Sequence, residues 1–139
     1  MIFLCVQDFQ TECEEYIREE VKDVKPGKAR IKAIIKYYVR FFTQYPGIFD
    51  LFFLEKMPDI RNNKAAAELI YSFLFTLCKK DWEHCLQKKV FTKNEIILKH
   101  RQINAITAGS LLFYLNRLQP ADYKDFVKSM EEQVELVMM

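Results

Sequence analysis

The chain has 139 residues, of which half are apolar and 14% aromatic, and this composition predicts one globular domain with a sizeable core. Three glycines and four prolines, among abundant Leu, Ile, Lys and Glu, favour an all-α fold. The net charge of +2 is too small to indicate a partner such as nucleic acid or an anionic membrane, and no apolar run approaches the roughly 18 residues of a membrane span.

The first part of the chain predicts two long helices and a short one. Apolar residues spaced three and four apart predict a helix from Ile2 to Val24, which the Pro26-Gly27 pair ends. A second helix runs to about Tyr45, and Pro26 is placed to open it. Pro46 ends that helix and introduces a very apolar helix from Gly47 to Lys56, which we expect to lie inside a helical bundle.

Three further helices are predicted after the loop signalled by Pro58. The fourth runs from Lys64 to Lys89, and residues 92–95 have the pattern of a capping box that begins the fifth. The fifth ends near Leu118, and the sixth follows Pro120. The predicted fold is therefore an all-α, six-helix antiparallel bundle that forms a single domain over residues 1–139.

The fifth helix has two apolar faces on opposite sides. A helix with this pattern must bury both faces, either at the centre of its own fold or against another chain. We favour a homodimer through the last two helices, because six helices rarely surround one of their number and because Gly109 and Ala105 allow a close approach. The predicted interface comprises Leu98, Ala105, Gly109, Leu112, Phe126, Met130 and Val134.

An internal pocket for a small apolar ligand is predicted between the second, fourth and fifth helices, whose facing stripes carry many large rings and few small residues. A fully filled core is the alternative. Asp81 and His84 suggest either a polar spot in that pocket or an exposed helix end, and His100 and Thr107 suggest either ligand contacts or satisfied core groups. The predicted pocket residues are Tyr38, Phe41, Phe42, Phe73, Leu77, Asp81, His84, His100, Ile103, Thr107 and Tyr114.

Catalytic motifs are missing from the sequence. It contains no GxSxG, no HExxH and no glycine-rich phosphate loop, so we expect neither an enzyme nor a cofactor or metal site. A small helical enzyme using Asp81, His84 or His100 is the remaining alternative of that class. The four cysteines form no CxxC pair, which predicts buried thiols in a cytoplasmic protein.

Two segments resemble the C-terminal regulatory domain of TetR-family transcriptional regulators. Residues 41–55, FFTQYPGIFDLFFLE, resemble the helix, proline break and aromatic helix of that domain. Residues 103–112, INAITAGSLL, followed by Asn116-Arg117-Leu118 and Pro120, resemble its penultimate helix, where a small residue often occupies the middle of the dimer helix. The likeness in helix order and length extends over nearly the whole chain.

The resemblance implies a domain that dimerises and binds an unidentified small apolar effector. The family's N-terminal helix-turn-helix is not among these 139 residues, so DNA contact is implied only through a domain that this sequence lacks. We expect the bare domain not to bind DNA specifically. A stand-alone helical interaction module without DNA binding is the alternative function.

Overall fold

The structure is a computed structural model that describes residues 2–50, 64–116, 120 and 122–139. Its helices are α1 (Ile2–Val21), α2 (Lys28–Gln44), α3 (Pro46–Phe49), α4 (Lys64–Gln87), α5 (Lys93–Leu115) and α6 (Tyr123–Met138). No β-strand occurs within the described ranges, and the predicted all-α fold of six helices is confirmed.

Helix α2 is the centre of the fold, because it contacts each of the other five helices. Its buried side chains extend around more than one side of the helix: Ile31, Ile34, Ile35, Tyr38, Val39, Phe41 and Phe42. The neighbours α1 and α4 pack on one side, tied together by a 2.9 Å hydrogen bond from Gln10 Nε2 to the carbonyl oxygen of Leu69. The hairpin of α5 and α6 packs on the other.

The turn between α1 and α2 differs from the sequence prediction. Helix α1 ends at Val21, not at Val24, and α2 begins at Lys28 without Pro26 as its first residue. Gly27 is the N-cap, and its φ of +104° lies in the region that L side chains rarely adopt. The glycine therefore makes the sharp reversal possible, and the proline lies outside the helix.

The short helix begins as predicted, with Pro46 in its first turn. Phe49 is buried, in agreement with a short apolar helix inserted into the bundle. The continuation that the sequence predicts to Lys56 lies beyond residue 50 and so outside the described residues.

The end of α4 and the start of α5 are both closed by local hydrogen bonds. Helix α4 ends at Gln87, before the predicted Lys89, which has a φ of +57°. The N–H groups of Val90 and Lys89 donate to the carbonyls of Cys85 and Leu86, the two bonds of a Schellman motif. The capping box predicted at Thr92 and Glu95 is confirmed by both of its bonds, 3.2 Å and 2.9 Å long.

The α5–α6 hairpin is antiparallel, with Lys99 Nζ donating a 2.6 Å hydrogen bond to the carbonyl of Val137 at one end. At the other end the rings of Tyr114 and Phe126 are stacked with centroids 4.3 Å apart. None of the described helices is both long enough and apolar enough to cross a membrane.

Candidate functional site

Most side chains of the predicted pocket belong to the packed core. Tyr38 contacts Phe42 and Phe73, with ring centroids 5.0 Å and 6.1 Å apart. The predicted pocket residues that are buried in this core are Tyr38, Phe41, Phe42, Phe73, Leu77, Ile103 and Thr107. Ligand binding among them stays a prediction, and the cavities described below lie elsewhere.

Asp81 and His84 lie beside the α1–α2 turn. Asp81 is buried, which contradicts the alternative of an exposed helix end at this part of α4. Its Oδ1 accepts a 3.0 Å hydrogen bond from the Gly27 N–H and lies 3.7 Å from Arg30 Nη1. The contacts of Asp81 Oδ1 are therefore with the α1–α2 turn and the first turn of α2, and the carboxylate stabilises the packing of α4 against them. The His84 ring packs against Gly27, since a Cβ built on that glycine would lie 3.1 Å from Nδ1.

His100 and Thr107 are placed between α4 and α5. The His100 ring meets the Phe75 ring edge-on at 4.9 Å, and its Nδ1 is buried with no hydrogen-bond partner in the described part of the chain. Burial lowers the pKa of His100 to about 4. Thr107 donates a 3.1 Å hydrogen bond to the Asn104 carbonyl, which satisfies its hydroxyl within α5. Thr107 therefore fits the reading as a satisfied core group, whereas the His100 ring is packed between the helices with one nitrogen unsatisfied.

A groove of about 760 Å³ lies between α2 and α6, and we call it the α2–α6 groove. Its apolar floor is formed by Ile35, Val39, Val127, Met130 and Val134. Its α2 wall carries the cations Lys32, Lys36 and Arg40, and its α6 wall carries Glu131 and Glu135. Polar and aromatic side chains line the rest of it: Thr43, Gln44, Tyr114 and Tyr123. Of the predicted pocket residues, Tyr114 is the one found here.

One end of the α2–α6 groove is closed by an ion pair. Lys32 Nζ lies 2.8 Å from Glu135 Oε2 and 2.9 Å from Oε1. Lys36 and Arg40, one and two turns along α2, are exposed and form no ion pair with a carboxylate among the described residues. The groove therefore has unpaired positive charge away from its closed end.

The second apolar face of α5 is exposed in the single chain. Leu98 is 58% exposed and Leu112 is 37% exposed, and Ala105 between them is also exposed. Since α2 is the central helix, α5 does not bury this face inside its own fold. We call Leu98, Ala105, Gly109 and Leu112 the outer face of α5.

A second cavity, of about 600 Å³, lies between α5 and α6 beside the outer face. Its lining combines small and polar residues with the apolar side chains Ile106, Phe113 and Phe126, and the small and polar residues include Ala105, Gly109, Asp125, Ser129 and Gln133. Among the described residues, no atom beyond the chain neighbours and the backbone of α5 itself lies within 4 Å of a Cβ built on Gly109. A helix from another chain could therefore approach α5 closely at this position.

The α6 part of the predicted dimer interface requires correction. Phe126, Met130 and Val134 are each less than 5% exposed, because this side of α6 packs onto α2 and α5. Met130 and Val134 also form the floor of the α2–α6 groove. The side of α6 that is available to a partner carries Ser129, Gln133 and, by helical spacing, the 70% exposed Leu136.

The groove was missed at the sequence level, although one signal for it was present. Lys32, Lys36 and Arg40 are spaced four apart and so line one side of α2. The same spacing of cations is also found on an ordinary solvent-exposed face of a helix, so it does not by itself predict a groove. Only the packing of α6 beside it, about ninety residues later in the chain, converts that side into a wall.

The thiols give no sign of reactivity in the core. All four cysteines are free; Cys13, Cys78 and Cys85 are buried as predicted, whereas Cys5 is exposed. Burial raises the pKa of the Cys13 and Cys78 thiols far above the usual value. Across the described residues, no group of three or more His, Cys, Asp or Glu side chains is arranged to hold a metal ion.

Comparison of the chain with protein-family models, with curated proteins and with solved structures gives no match. The functional interpretation therefore depends on the α2–α6 groove, on the outer face of α5 and on the resemblance described from the sequence.

Proposed function

We propose that this chain is the effector-sensing and dimerising domain of a TetR-like transcriptional regulator. The observation that supports the proposal most is the outer face of α5, which stays exposed although it is apolar. Leu98, Ala105 and Leu112 are seven residues apart, which places them on one line along the helix. Burying a leucine of this line against a partner stabilises the complex by about 1–2 kcal/mol.

In a two-fold symmetric dimer, the outer face of α5 in one chain would pack against the same face in a second copy of the chain. Gly109 would allow the two α5 helices to approach closely, and Leu136 of α6 would extend the contact. The antiparallel hairpins of two chains would then form a four-helix interface. This arrangement keeps the proposed dimer contact on α5 and moves its α6 part to the opposite side of that helix.

The sensing role follows from the position of α6 between two surfaces. One side of α6 forms the α2–α6 groove, and the other side borders the proposed dimer contact. A ligand in the groove would bind more tightly to one spacing of α2 and α6 than to another. It would thereby shift the population of dimer geometries, which is how such a domain changes the separation of attached DNA-binding heads.

Sedimentation velocity at micromolar concentration tests the dimer. We expect the wild-type chain to sediment as a dimer and Gly109→Arg as a monomer of unchanged helix content, since the site is open in the single chain. Gly47→Arg is the matched control, because Gly47 also has no atom within 4 Å of a built Cβ and lies on α3. A clean wild-type monomer would contradict the dimer.

The stand-alone interaction module uses the same surface and is the second candidate. Phe113, 50% exposed, and Ile97, 41% exposed, widen the apolar area beyond the line of the outer face. A different protein could cover this wider area. A monomeric wild-type chain would favour this candidate over the regulator.

A further inference from the structure

We propose that the α2–α6 groove binds an elongated amphipathic anion, a single apolar chain that carries a carboxylate at one end. The inference names the ligand class for the sensing role proposed above and rests on that role.

The groove is long and narrow. It extends along α2 from Lys32 to Gln44, and twelve residues of helix correspond to about 18 Å. Dividing the volume of 760 Å³ by that length gives a mean cross-section of about 42 Å². A slot of this length and width accommodates a single extended hydrocarbon chain.

The floor favours hydrocarbon. Val39, Met130 and Val134 present apolar atoms along the groove, without a polar side chain among them that needs a partner. Met130 adds an unbranched, adaptable side chain, which suits a guest of variable length. A volume of about 760 Å³ also lies within the range of small-molecule sites, roughly 300–1,000 Å³.

The charges place an anionic head near Arg40. By four-residue steps along antiparallel helices from the Lys32–Glu135 pair, we infer that Lys36 faces Glu131 and Arg40 faces Val127. Arg40 thus has no carboxylate across from it, whereas an anion near Lys36 would also meet Glu131. A guanidinium binds a carboxylate through two parallel hydrogen bonds, and Tyr123 adds a hydroxyl at this end.

The chain of the ligand would then extend from Arg40 toward the Lys32–Glu135 pair, along the floor. A ligand with an uncharged head group would lose the contact with Arg40, and a ligand with a cationic head group would be repelled by it. Discrimination between the three head groups is therefore the measurable property of this site.

Isothermal titration calorimetry of the full chain tests the proposal with three probes of equal chain length: decanoate, decan-1-ol and decyltrimethylammonium, each below its micelle concentration. We expect decanoate to bind at least tenfold more tightly than either of the others. The double variant Lys36→Ala/Arg40→Ala should remove this preference and leave decanol binding unchanged. Lys79→Ala/Lys80→Ala, two exposed cations of α4 outside the groove, is the matched control and should bind decanoate like the wild type.

A variant that fills the groove tests the position. Val127 is half-buried at the groove, and Val127→Trp should abolish decanoate binding while circular dichroism shows unchanged helix content. Equal binding of decanoate and decanol, full binding by Val127→Trp, or binding to anionic phospholipid vesicles without binding of monomeric decanoate would each overturn the inference.

Sedimentation separates this inference from the proposed function. A dimeric wild type that another compound stabilises against heat, but that does not bind decanoate, would refute the ligand class and leave the sensing role. A monomer that binds none of the compounds would refute both.

Discussion

Asp81 of α4 accepts a 3.0 Å hydrogen bond from the backbone N–H of Gly27, which lies 54 residues earlier in the chain. Arg30, 3.7 Å from the same carboxylate oxygen, also donates two hydrogen bonds to the Val24 carbonyl. One buried acid therefore joins the end of α4 to both sides of the α1–α2 turn. The two helices that pack on α2 are held in register at this point.

Asp81→Ala should lower the free energy of unfolding by about 2–4 kcal/mol, because it leaves a buried N–H without its acceptor and the Arg30 guanidinium without its counter-charge. Asp81→Asn retains one acceptor oxygen and should cost less. Urea denaturation followed by circular dichroism measures both. Glu83→Ala, an exposed neighbour, should stay within about 0.5 kcal/mol of the wild type. An Asp81→Ala chain as stable as the wild type would show that the turn is held by other contacts.

Gly27→Ala should destabilise the fold by about 1–3 kcal/mol, since an L residue is strained at a φ of +104° and its Cβ would lie 3.1 Å from His84 Nδ1. The double variant Gly27→Ala/His84→Ala removes the close contact and keeps the backbone strain. Chemical denaturation of the two variants separates the two costs. Gly47→Ala, in open space and without a positive φ, is the control and should not destabilise.

Lys89→Gly should raise the free energy of unfolding by about 0.5–1 kcal/mol. Lys89 occupies the left-handed position of the Schellman motif with a φ of +57°. This backbone conformation is higher in free energy for a lysine than for a glycine. Lys88→Gly, one residue earlier and without a positive φ, is the comparison and should be neutral or destabilising. Equal effects of the two substitutions on the thermal midpoint would contradict this account of the helix end.

The stability of the chain should depend on pH through His100. Burial lowers the pKa of His100 to about 4 in the fold, against about 6.5 in the unfolded chain. Between these values the unfolded state binds a proton that the folded state does not, so stability falls as the pH is lowered from 6.5 to 4 and levels off below. Because the ring is partly exposed, screening reduces the loss to about 1–2 kcal/mol.

The measurement is the free energy of unfolding of the wild type and of His100→Gln at several pH values from 4 to 7. The variant should show a shallower dependence across that window. The same slope in both proteins would mean that other groups cause the dependence.

The helices were predictable because each one repeats its apolar residues with the period of a helix and ends at a local signal. Thr92 and Glu95 illustrate this, since both bonds of the capping box join residues three apart. The turn at Gly27 was predicted less well. The N-cap of α2 is Gly27, whose N–H is bonded to Asp81 from a distant helix, and a local pattern does not contain that partner.

The surfaces were predictable in part. The two apolar faces of α5 were visible in the sequence, and the structure shows that the face with Leu98 and Leu112 is exposed. The groove was not visible, because its walls come from α2 and α6. The aromatic side chains that suggested an internal pocket fill space against one another, as the 5.5 Å separation of the Phe41 and Phe42 rings shows. The spacing of apolar residues along a helix reveals which side of that helix is apolar, but not which other helix will pack against that side.

The central position of α2 also determines how the protein opens. The amides on the buried side of α2 reach water only when the helices around them separate, whereas the amides on the outer side of α5 can be released by a local fluctuation. The slowest hydrogen exchange of the whole chain should therefore be found between Ile31 and Phe42, at the rate of global unfolding. The helix that forms one wall of the α2–α6 groove should thus also be the last element to lose its protection.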